Sequence, residues 1–206
     1  MEEKVVYFEQ FGMANTEVTL NMSLERAKAR GIQKIVLAST RGETAKTMAQ
    51  KLKGTGIKMV VVPHQFGFGP EGSQRFPQEL VSDLAQQGHA VHFSTMLFHT
   101  EGFYGTNEPR IMANLLRTFC QGMKVCVEIL FMAANGGLVT KGEQVVVVAG
   151  TGRGADTAVV AIAAPSGALG DMHITEIICK PLQTKQGPPP PPPGAPAGGP
   201  PPGPRP

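Results

Sequence analysis

The stretch KIVLASTRGETAKTMAQKLKGTGIKMVVV, residues 34–62, decides the fold class. It begins with a short run of branched apolar residues, continues into a helical stretch at Gly42–Leu52, and ends on a second apolar run at Lys58–Val62. Gly56 stands just before the second run, where a left-handed residue that ends a helical stretch is expected. Strand, helix and strand in this order predict two parallel strands joined by a covering helix.

The same order of helix, glycine and apolar run recurs along the chain, with the glycines at Gly31, Gly56, Gly88 and Gly142. The predicted strands are Lys4–Phe8, Lys34–Ala38, Lys58–Val62, His89–Phe93 and Gln144–Ala149, and the predicted helices are Thr16–Arg30, Gly42–Leu52, Gln78–Gln87, Pro109–Cys120 and Met123–Asn135. We therefore expect an α/β protein whose mostly parallel sheet is covered by helices on both faces.

The pattern changes after Gly154. Two β-prone segments, Thr157–Ala163 and His173–Cys179, follow each other with Pro165 and Gly167 between them and no helical stretch. This arrangement is typical of a β-hairpin, so we expect an antiparallel edge near the C-terminus.

The composition divides the 206 residues into two parts. Residues 1–182 have enough apolar residues to form one domain with a core, and we expect them to form an α/β ligand-binding domain. Residues 183–206 are mostly Pro, Gly and Ala, so we expect a disordered tail. Its proline runs fit two interpretations, a solvated tail and a segment that binds aromatic grooves, and the solvated tail is favoured.

Charge, cysteine content and hydropathy exclude several classes of protein. The net charge of +3 comes with no basic run, which argues against a nucleic-acid partner. The three cysteines, Cys120, Cys126 and Cys179, form no metal-type pair and are odd in number, which is typical of reduced thiols in a cytoplasmic protein. The apolar run Val125–Ala134 contains Glu128 and is too short to cross a bilayer, so we expect no membrane partner.

The loop ASTRGETA, residues 38–45, leaves the strand Lys34–Ala38 and enters a helix. The free backbone N–H groups at a helix start attract anions. We expect the hydroxyls of the loop and its backbone to hold a phosphate, with Ser39, Thr40, Gly42, Glu43 and Thr44 as its ligand residues. The alternative is that Ser39 or Thr40 only caps the helix.

The loop AGTGRGADT, residues 149–157, follows the strand Gln144–Ala149. It matches G-x-G-x-x-A, but no helix follows it, so the dinucleotide fingerprint is rejected. Successive N–H groups of a glycine-rich turn form an anion-binding nest, and an arginine clamps a phosphate with two prongs. The predicted ligand residues are Gly150, Thr151, Gly152, Arg153, Gly154, Asp156 and Thr157. The alternative is a tight turn with a surface pair between Arg153 and Asp156.

A third loop, PHQFGFG at residues 63–69, leaves the strand Lys58–Val62. It offers His64, Phe66 and Gly67 to a ligand ring, or else its aromatic side chains pin the loop to the domain. His64 has the best position of the five histidines for proton chemistry, whereas His99 lies in the long segment 94–108, which has the length of a lid. No two histidines and a carboxylate stand at metal-ligand spacing, so no metal site is expected.

The helix Met123–Asn135 is apolar around most of its circumference, and Lys124 and Glu128 form its clear polar stripe. This pattern predicts a helix buried in the core or in the interface of a homo-oligomer. A catalytic Glu128 or Cys126 is the alternative.

Four segments of the chain resemble the pyruvate kinase α/β-domain-like family of small prokaryotic proteins. They are FEQFGMANTEVTL (8–20), ASTRGETA (38–45), QGMKVCVEI (121–129) and AGTGRGADTAVV (149–160). The resemblance covers nearly all of residues 1–181 and implies a three-layer α/β/α sandwich like the C-terminal domain of pyruvate kinase. In that enzyme the domain carries an allosteric sugar-phosphate site and not the active site, so the resemblance does not imply kinase activity.

The resemblance also implies flavin mononucleotide (FMN) as a cofactor. From the loops we infer that its phosphate lies on residues 39–44 or 150–154 and its ring near His64, Phe66 or Phe68. Glu9, Asn15 and Thr16 match the first motif of the family and are expected to face the same cleft. The leading hypothesis is thus an FMN-binding flavoprotein, with an oxidoreductase of unknown substrate as its catalytic form. The alternatives are a non-catalytic sensor of a phosphorylated metabolite and an interaction protein acting through the tail.

Overall fold

The computed structural model describes residues 2–68 and 72–183. Seven strands are β1 (Val6–Phe8), β2 (Lys34–Ala38), β3 (Lys58–Val62), β4 (Ala90–Val91), β5 (Gln144–Ala149), β6 (Thr157–Ile162) and β7 (His173–Pro181). Six helices are α1 (Thr16–Ala29), α2 (Glu43–Leu52), α3 (Gln78–Gln86), α4 (Glu101–Tyr104), α5 (Glu108–Arg117) and α6 (Gln121–Asn135). The predicted tail lies outside the described residues, apart from its first position.

The seven strands form one sheet in the order β1-β7-β6-β5-β2-β3-β4. Strands β2, β3, β4 and β5 pair in parallel, as do β1 and β7. Strand β6 pairs antiparallel with both β5 and β7. The predicted α/β class with a mostly parallel sheet and antiparallel pairing near the C-terminus is therefore confirmed.

Two features of the sheet differ from the sequence expectation in detail. The antiparallel strands lie inside the sheet, because β1 pairs with β7 and takes the edge position. Strand β4 contains two residues of the predicted five, because it is the opposite edge and pairs only with β3. Edge strands commonly stay short, which limits pairing with other chains.

Helices cover the sheet on both faces, which gives three layers. One core packs α1, α2 and α3 against side chains such as Ile35, Leu37 and Val146. The other packs α6 against the alternate residues of the same strands, such as Val36 and Val147. Because successive strand residues point to opposite faces, a strand buried on both sides is apolar throughout, as these strands are.

Helix α6 lies in the core of a single chain. Eleven of its fifteen residues are buried, and they contact the sheet and helix α5. Of the two apolar environments predicted for this helix, the structure shows the core.

Candidate functional site

The topology brings the three predicted loops together. Strands β2, β3 and β5 are neighbours that run in the same direction, so the loops after them leave from one edge of the sheet. They border a cavity of about 850 Å³. Ligands of open α/β sheets bind at this edge.

Nine of the fifteen predicted ligand residues line this cavity: Ser39, Thr40, Glu43, Thr44, His64, Gly150, Gly152, Arg153 and Gly154. The loops from all three strands are represented, which is the convergence expected from a parallel sheet. The other six, Gly42, Phe66, Gly67, Thr151, Asp156 and Thr157, are not among the lining residues.

Asp156 organises the glycine-rich loop from within the protein. Its side chain is completely buried, and its Oδ2 accepts hydrogen bonds from the N–H groups of Gly12 (2.8 Å) and Thr151 (3.0 Å). The hydroxyl of Thr157, also buried, donates to Oδ1 at 2.8 Å. The carboxylate therefore contacts protein donors and forms no surface pair with Arg153.

The loop after β5 packs tightly against the segment that precedes α1. A Cβ added to Gly154 would lie 2.2 Å from Thr16 Oγ1 and 2.7 Å from the Met13 Cα. Thr16 Oγ1 in turn accepts a hydrogen bond from the Ala155 N–H at 3.1 Å. Glu9, Asn15 and Thr16 do not line the cavity, so the first motif supports this loop from behind.

Helix α2 begins at the cavity. Gly42 precedes it with φ +86°, and an added Cβ would lie 2.3 Å from the Leu80 Cδ2. Ser39 Oγ accepts from the Ala45 N–H at a long 3.4 Å, a weak form of the predicted cap. The earlier N–H groups of the first turn have no intrahelical acceptors, and they lie beside lining residues Glu43 and Thr44.

Four arginines line the cavity: Arg41, Arg75, Arg117 and Arg153. Within the described residues none of them forms a salt bridge with a carboxylate. Arg117 donates to the side-chain oxygens of Gln121 and Asn114, both at 2.8 Å, which fixes its guanidinium. Such a group of uncompensated cations favours an anionic ligand.

Sequence reasoning did not single out Arg41, Arg75 or Arg117. Arg41 lies within the quoted loop 38–45, whereas Arg75 and Arg117 belong to the segment before α3 and to the end of α5. Only the packing of those helices around the sheet edge brings them to the cavity, and no local motif signals it.

Another part of the cavity lining is apolar and aromatic: Val62, Phe68, Met96, Val125, Ile129 and Met132. The rings of His64 and Phe68 lie 4.6 Å apart, and those of Phe68 and His99 5.4 Å apart. Phe66 contacts Phe93 at 5.0 Å and is 62% exposed, so Phe68 is the aromatic residue of the loop that faces the cavity.

A buried ion pair lines the cavity between these parts. Lys124 is 1% and Glu128 2% exposed, and Lys124 Nζ donates to Glu128 Oε2 at 2.5 Å. Glu128 Oε1 accepts from the Phe98 N–H at 2.8 Å and lies 3.2 Å from Nδ1 of His99. Glu128 thereby ties helix α6 to the segment that carries His99.

Burial and charge act in opposite directions on this pair. Burial lowers the pKa of Lys124, although the charge of Glu128 works against it. Burial alone would raise the pKa of Glu128, but the hydrogen bonds and charge from His99 and Lys124 outweigh it, so the pKa lies below its usual value. The hydrogen bonds and charge of its neighbours therefore favour the ionised form of Glu128.

His64 is held in its neutral form. Its pKa is lowered by burial first, and then by the positive charge of Arg75 and by His99. A neutral imidazole offers one donor and one acceptor to a ligand in the cavity.

The cysteines do not supply a nucleophile. Cys120, Cys126 and Cys179 are all unpaired and buried. Burial raises the pKa of Cys126, and it raises that of Cys179 to about 11. Because a thiol reacts as its thiolate, the proposed catalytic role for Cys126 has no support in this geometry.

The fold is an α/β domain with a cavity at the carboxyl edge of its sheet, and four arginines are among the residues that line this cavity. The sequence pattern of the "pyruvate kinase, alpha/beta domain" family matches residues 17–161. This chain belongs to that family.

The solved structures similar to this chain include a pyruvate kinase from Cryptosporidium parvum, with 14% sequence identity and a TM-score of 0.39. A second is a Cryptosporidium parvum pyruvate kinase in complex with ADP, with 15% identity and a TM-score of 0.37. Each match covers 72% of this chain but only 23% of the pyruvate kinase chain. This chain therefore corresponds to about a quarter of those enzymes.

Among the described residues, no helix combines the length and the apolar character that a membrane span requires.

Proposed function

We propose that the cavity binds a phosphate-bearing mononucleotide, and that this ligand is FMN. The observation that supports the proposal is the lining itself: four arginines, which form no salt bridge within the described residues, share one cavity with several apolar and aromatic side chains. A ligand with an anionic end and a flat apolar end matches both the arginines and the apolar side chains of this lining. The cavity volume of about 850 Å³ is within the range of cofactor sites, roughly 300–1,000 Å³.

In this proposal the phosphate binds between the start of α2 and the glycine-rich loop after β5. Arg41 and Arg153 leave the ends of neighbouring strands there, and Gly150, Gly152 and Gly154 let the backbone approach the ligand. N–H groups at a helix start and a guanidinium fork are the usual partners of a phosphate. The residues present therefore fit this part of FMN.

The ring in turn would lie against Phe68, Val62, Ile129 and Met132, with His64 and the Lys124–Glu128 pair within reach of its polar edge. An apolar surface with a few polar groups is what a flavin ring requires for binding and orientation. Bound flavin supplies electron-transfer chemistry, and the protein's part is to hold the ring and exclude water. We accordingly propose a flavoprotein, with an oxidoreductase as its catalytic form.

A visible spectrum of the full chain tests this function. Protein purified without added flavin, or after incubation with FMN and removal of excess, is expected to absorb near the flavin bands and to quench FMN fluorescence. A colourless protein that leaves the fluorescence of added FMN unchanged contradicts the proposal.

A second candidate function is a non-catalytic sensor of a phosphorylated metabolite. The arginine-rich lining favours it, because such a lining recognises any phosphate ester. This function predicts thermal stabilisation by sugar phosphates that Arg153→Ala abolishes. Unchanged melting temperatures across a panel of phosphate esters contradict it.

The cytoplasmic location belongs to the same proposal. Three unpaired, buried thiols are typical of proteins in a reducing compartment. An unchanged molecular mass after treatment with a reductant supports the cytoplasmic location. An intermolecular disulfide in the native protein counts against this location.

A further inference from the structure

The cavity carries more positive charge than one phosphate ester needs. Its lining contains five cationic side chains, Arg41, Arg75, Arg117, Lys124 and Arg153, and two carboxylates, Glu43 and Glu128. Five cations less two carboxylates leave a formal charge of +3 from the arginine, lysine and glutamate side chains of the lining. A phosphate monoester carries about −1.5 to −2 at neutral pH. Positive charge therefore remains after the phosphate is bound.

The remaining charge is at the part of the cavity near His64 and Lys124. Arg75 follows Gln74, whose side-chain Nε2 donates to the His64 carbonyl at 2.8 Å. Arg117 donates to Gln121, which lies three residues before Lys124 in α6. In addition to burial, the charge of Arg75 lowers the pKa of His64, and the charge of Arg117 lowers the pKa of Lys124. Arg41 and Arg153 belong instead to the loops after β2 and β5.

Lys124 is a buried residue in the wall of the cavity near His64. It lines the cavity and is 1% exposed, and among the described residues the only hydrogen bond of its Nζ is the one to Glu128. An ammonium group carries three N–H donors, and a buried donor without an acceptor is costly. The other two N–H groups of this buried cation have no hydrogen-bond acceptor among the described residues, and Nζ also lies over the Phe98 ring, 5.5 Å from its centroid.

We propose that Arg75, Arg117 and Lys124 bind a second small anion, a carboxylate-bearing molecule, while the phosphate-bearing ligand occupies the loops after β2 and β5. The guanidinium forks match the two oxygens of a carboxylate, and the ammonium adds a point charge from the cavity wall. The inference rests on the proposed function, because it places the second anion next to the ring of the first ligand. It defines the substrate class of the flavoprotein as small organic acids.

Calorimetric titration of the full chain with malonate tests the subsite. We expect wild-type protein to bind malonate, Arg75→Gln to weaken binding about tenfold, and a double variant, Arg75→Gln with Arg117→Gln, to weaken it about a hundredfold. Arg110→Gln is the matched control, because Arg110 is exposed, lies on α5 as Arg117 does and is outside the cavity, and among the described residues its side chain bonds only to Asn107. Its affinity should equal that of the wild type.

The outcomes separate cleanly. Equal malonate affinity in wild type and Arg75→Gln, an equal loss in Arg110→Gln, or no malonate binding to the wild type overturns the subsite. Arg75 is exposed, and its side chain forms no hydrogen bond with the part of the chain that the structure describes. We therefore expect Arg75→Gln to keep the fold even if the double variant does not. Inorganic phosphate in place of malonate, titrated into wild type and Arg75→Gln, distinguishes a carboxylate site from a general oxyanion site: a tenfold loss of phosphate affinity in Arg75→Gln overturns the carboxylate assignment.

A second titration separates this inference from the proposed function. FMN fluorescence quenching is measured with and without saturating malonate. Unchanged FMN affinity supports two places, whereas competition overturns the second one. If FMN does not bind at all, the proposed function falls while the malonate titration still decides the subsite. If FMN binds and malonate does not, only the present inference falls.

Discussion

Single residues hold the loops of the cavity in place, and Asp156 does so through the negative charge of its carboxylate. Its buried carboxylate accepts hydrogen bonds from two backbone N–H groups and from Thr157. Asp156→Asn removes the charge and turns a donor toward these donors. We expect the free energy of unfolding to fall by about 2–4 kcal/mol, since hydrogen bonds to a charged group are worth about 1.5–3 kcal/mol each. Urea unfolding measures this.

The control for this variant is Asp171→Asn. Asp171 is exposed and pairs with an exposed lysine, Lys141. Surface substitutions of this kind usually leave stability nearly unchanged. Similar losses in the two variants would show that the Asp156 network does not stabilise the loop.

Two glycines of the same loop separate backbone conformation from close packing. Gly152 and Gly154 both have positive φ, +82° and +74°, but only Gly154 has atoms within reach of an added Cβ. Gly152→Ala therefore pays for conformation alone, about 1 kcal/mol, whereas Gly154→Ala adds a clash with Thr16 and the Met13 backbone. We expect Gly154→Ala to destabilise the protein by about 1–3 kcal/mol more than Gly152→Ala does, which is the usual cost of local strain of this kind.

Thermal or urea unfolding of both alanine variants checks the comparison. Equal losses for Gly152→Ala and Gly154→Ala would contradict the close packing between this loop and the segment before α1.

Glu128 makes stability depend on pH in the acid range. Its folded-state pKa lies below the usual value of 4.5, because the hydrogen bonds and charge of His99 and Lys124 outweigh the effect of burial. A depressed carboxyl pKa contributes stability above the unfolded pKa, and this contribution is lost as the pH falls through the folded pKa. We expect the wild type to lose stability between about pH 4.5 and pH 3 more steeply than Glu128→Gln does.

Urea unfolding at several pH values from 6 to 3 measures this slope. Glu25→Gln is the control, since Glu25 is exposed on α1, and its slope should match that of the wild type. A Glu128→Gln variant with the wild-type slope would mean that the buried pair does not titrate in this range.

At the scale of elements, the sequence predicts what depends on local periodicity. Strands β2, β3 and β5 coincide with their predicted bounds, because each is a short, uninterrupted apolar run buried on both faces. Strand β4 and the place of β1 beside β7 depend on edge pairing, which no local pattern encodes. The loops of the cavity follow these apolar runs directly, so they were predicted from the local pattern. Arg75 and Arg117 reach the cavity through the packing of helices, which no local pattern encodes, so they were not predicted.

Helix α5 carries an exposed apolar stripe, Ile111, Leu115 and Phe119, at four-residue spacing along α5 and just beyond its end. With α6 buried inside one chain, this stripe is the surface through which we expect a homo-oligomer to form, since such patches mark interaction sites. Leu115→Glu places a charge in it and should lower the molar mass measured by light scattering. A wild-type monomer at all concentrations contradicts the expectation.

Lys46→Gln controls for the change of charge in this experiment, because it also makes the net charge more negative by one unit. Lys46 is exposed on α2 on the opposite face of the sheet, so its variant should keep the wild-type mass. An equal effect of the two variants would point to net charge and not to the stripe.

For the whole molecule, the family and the fold class follow from short motifs and periodicity, but the ligand does not. The motifs around residues 38–45 and 149–160 indicate an anion, since glycine-rich turns and helix starts attract one. The flat, apolar part of the cavity appears only when Phe68, Val62 and Met132 come together from three elements. The case for a mononucleotide therefore depends on the assembled cavity and not on any one motif.

The central claim is that this one cavity holds a phosphate at the loops after β2 and β5 and a ring at its apolar part. Titration of the full chain with FMN and with riboflavin, followed by flavin fluorescence, tests it most directly, because riboflavin has the ring without the phosphate. We expect FMN to bind at least about tenfold more tightly than riboflavin, and Arg153→Ala to remove most of that difference. Equal affinity for FMN and riboflavin, or no binding of either, would contradict the account.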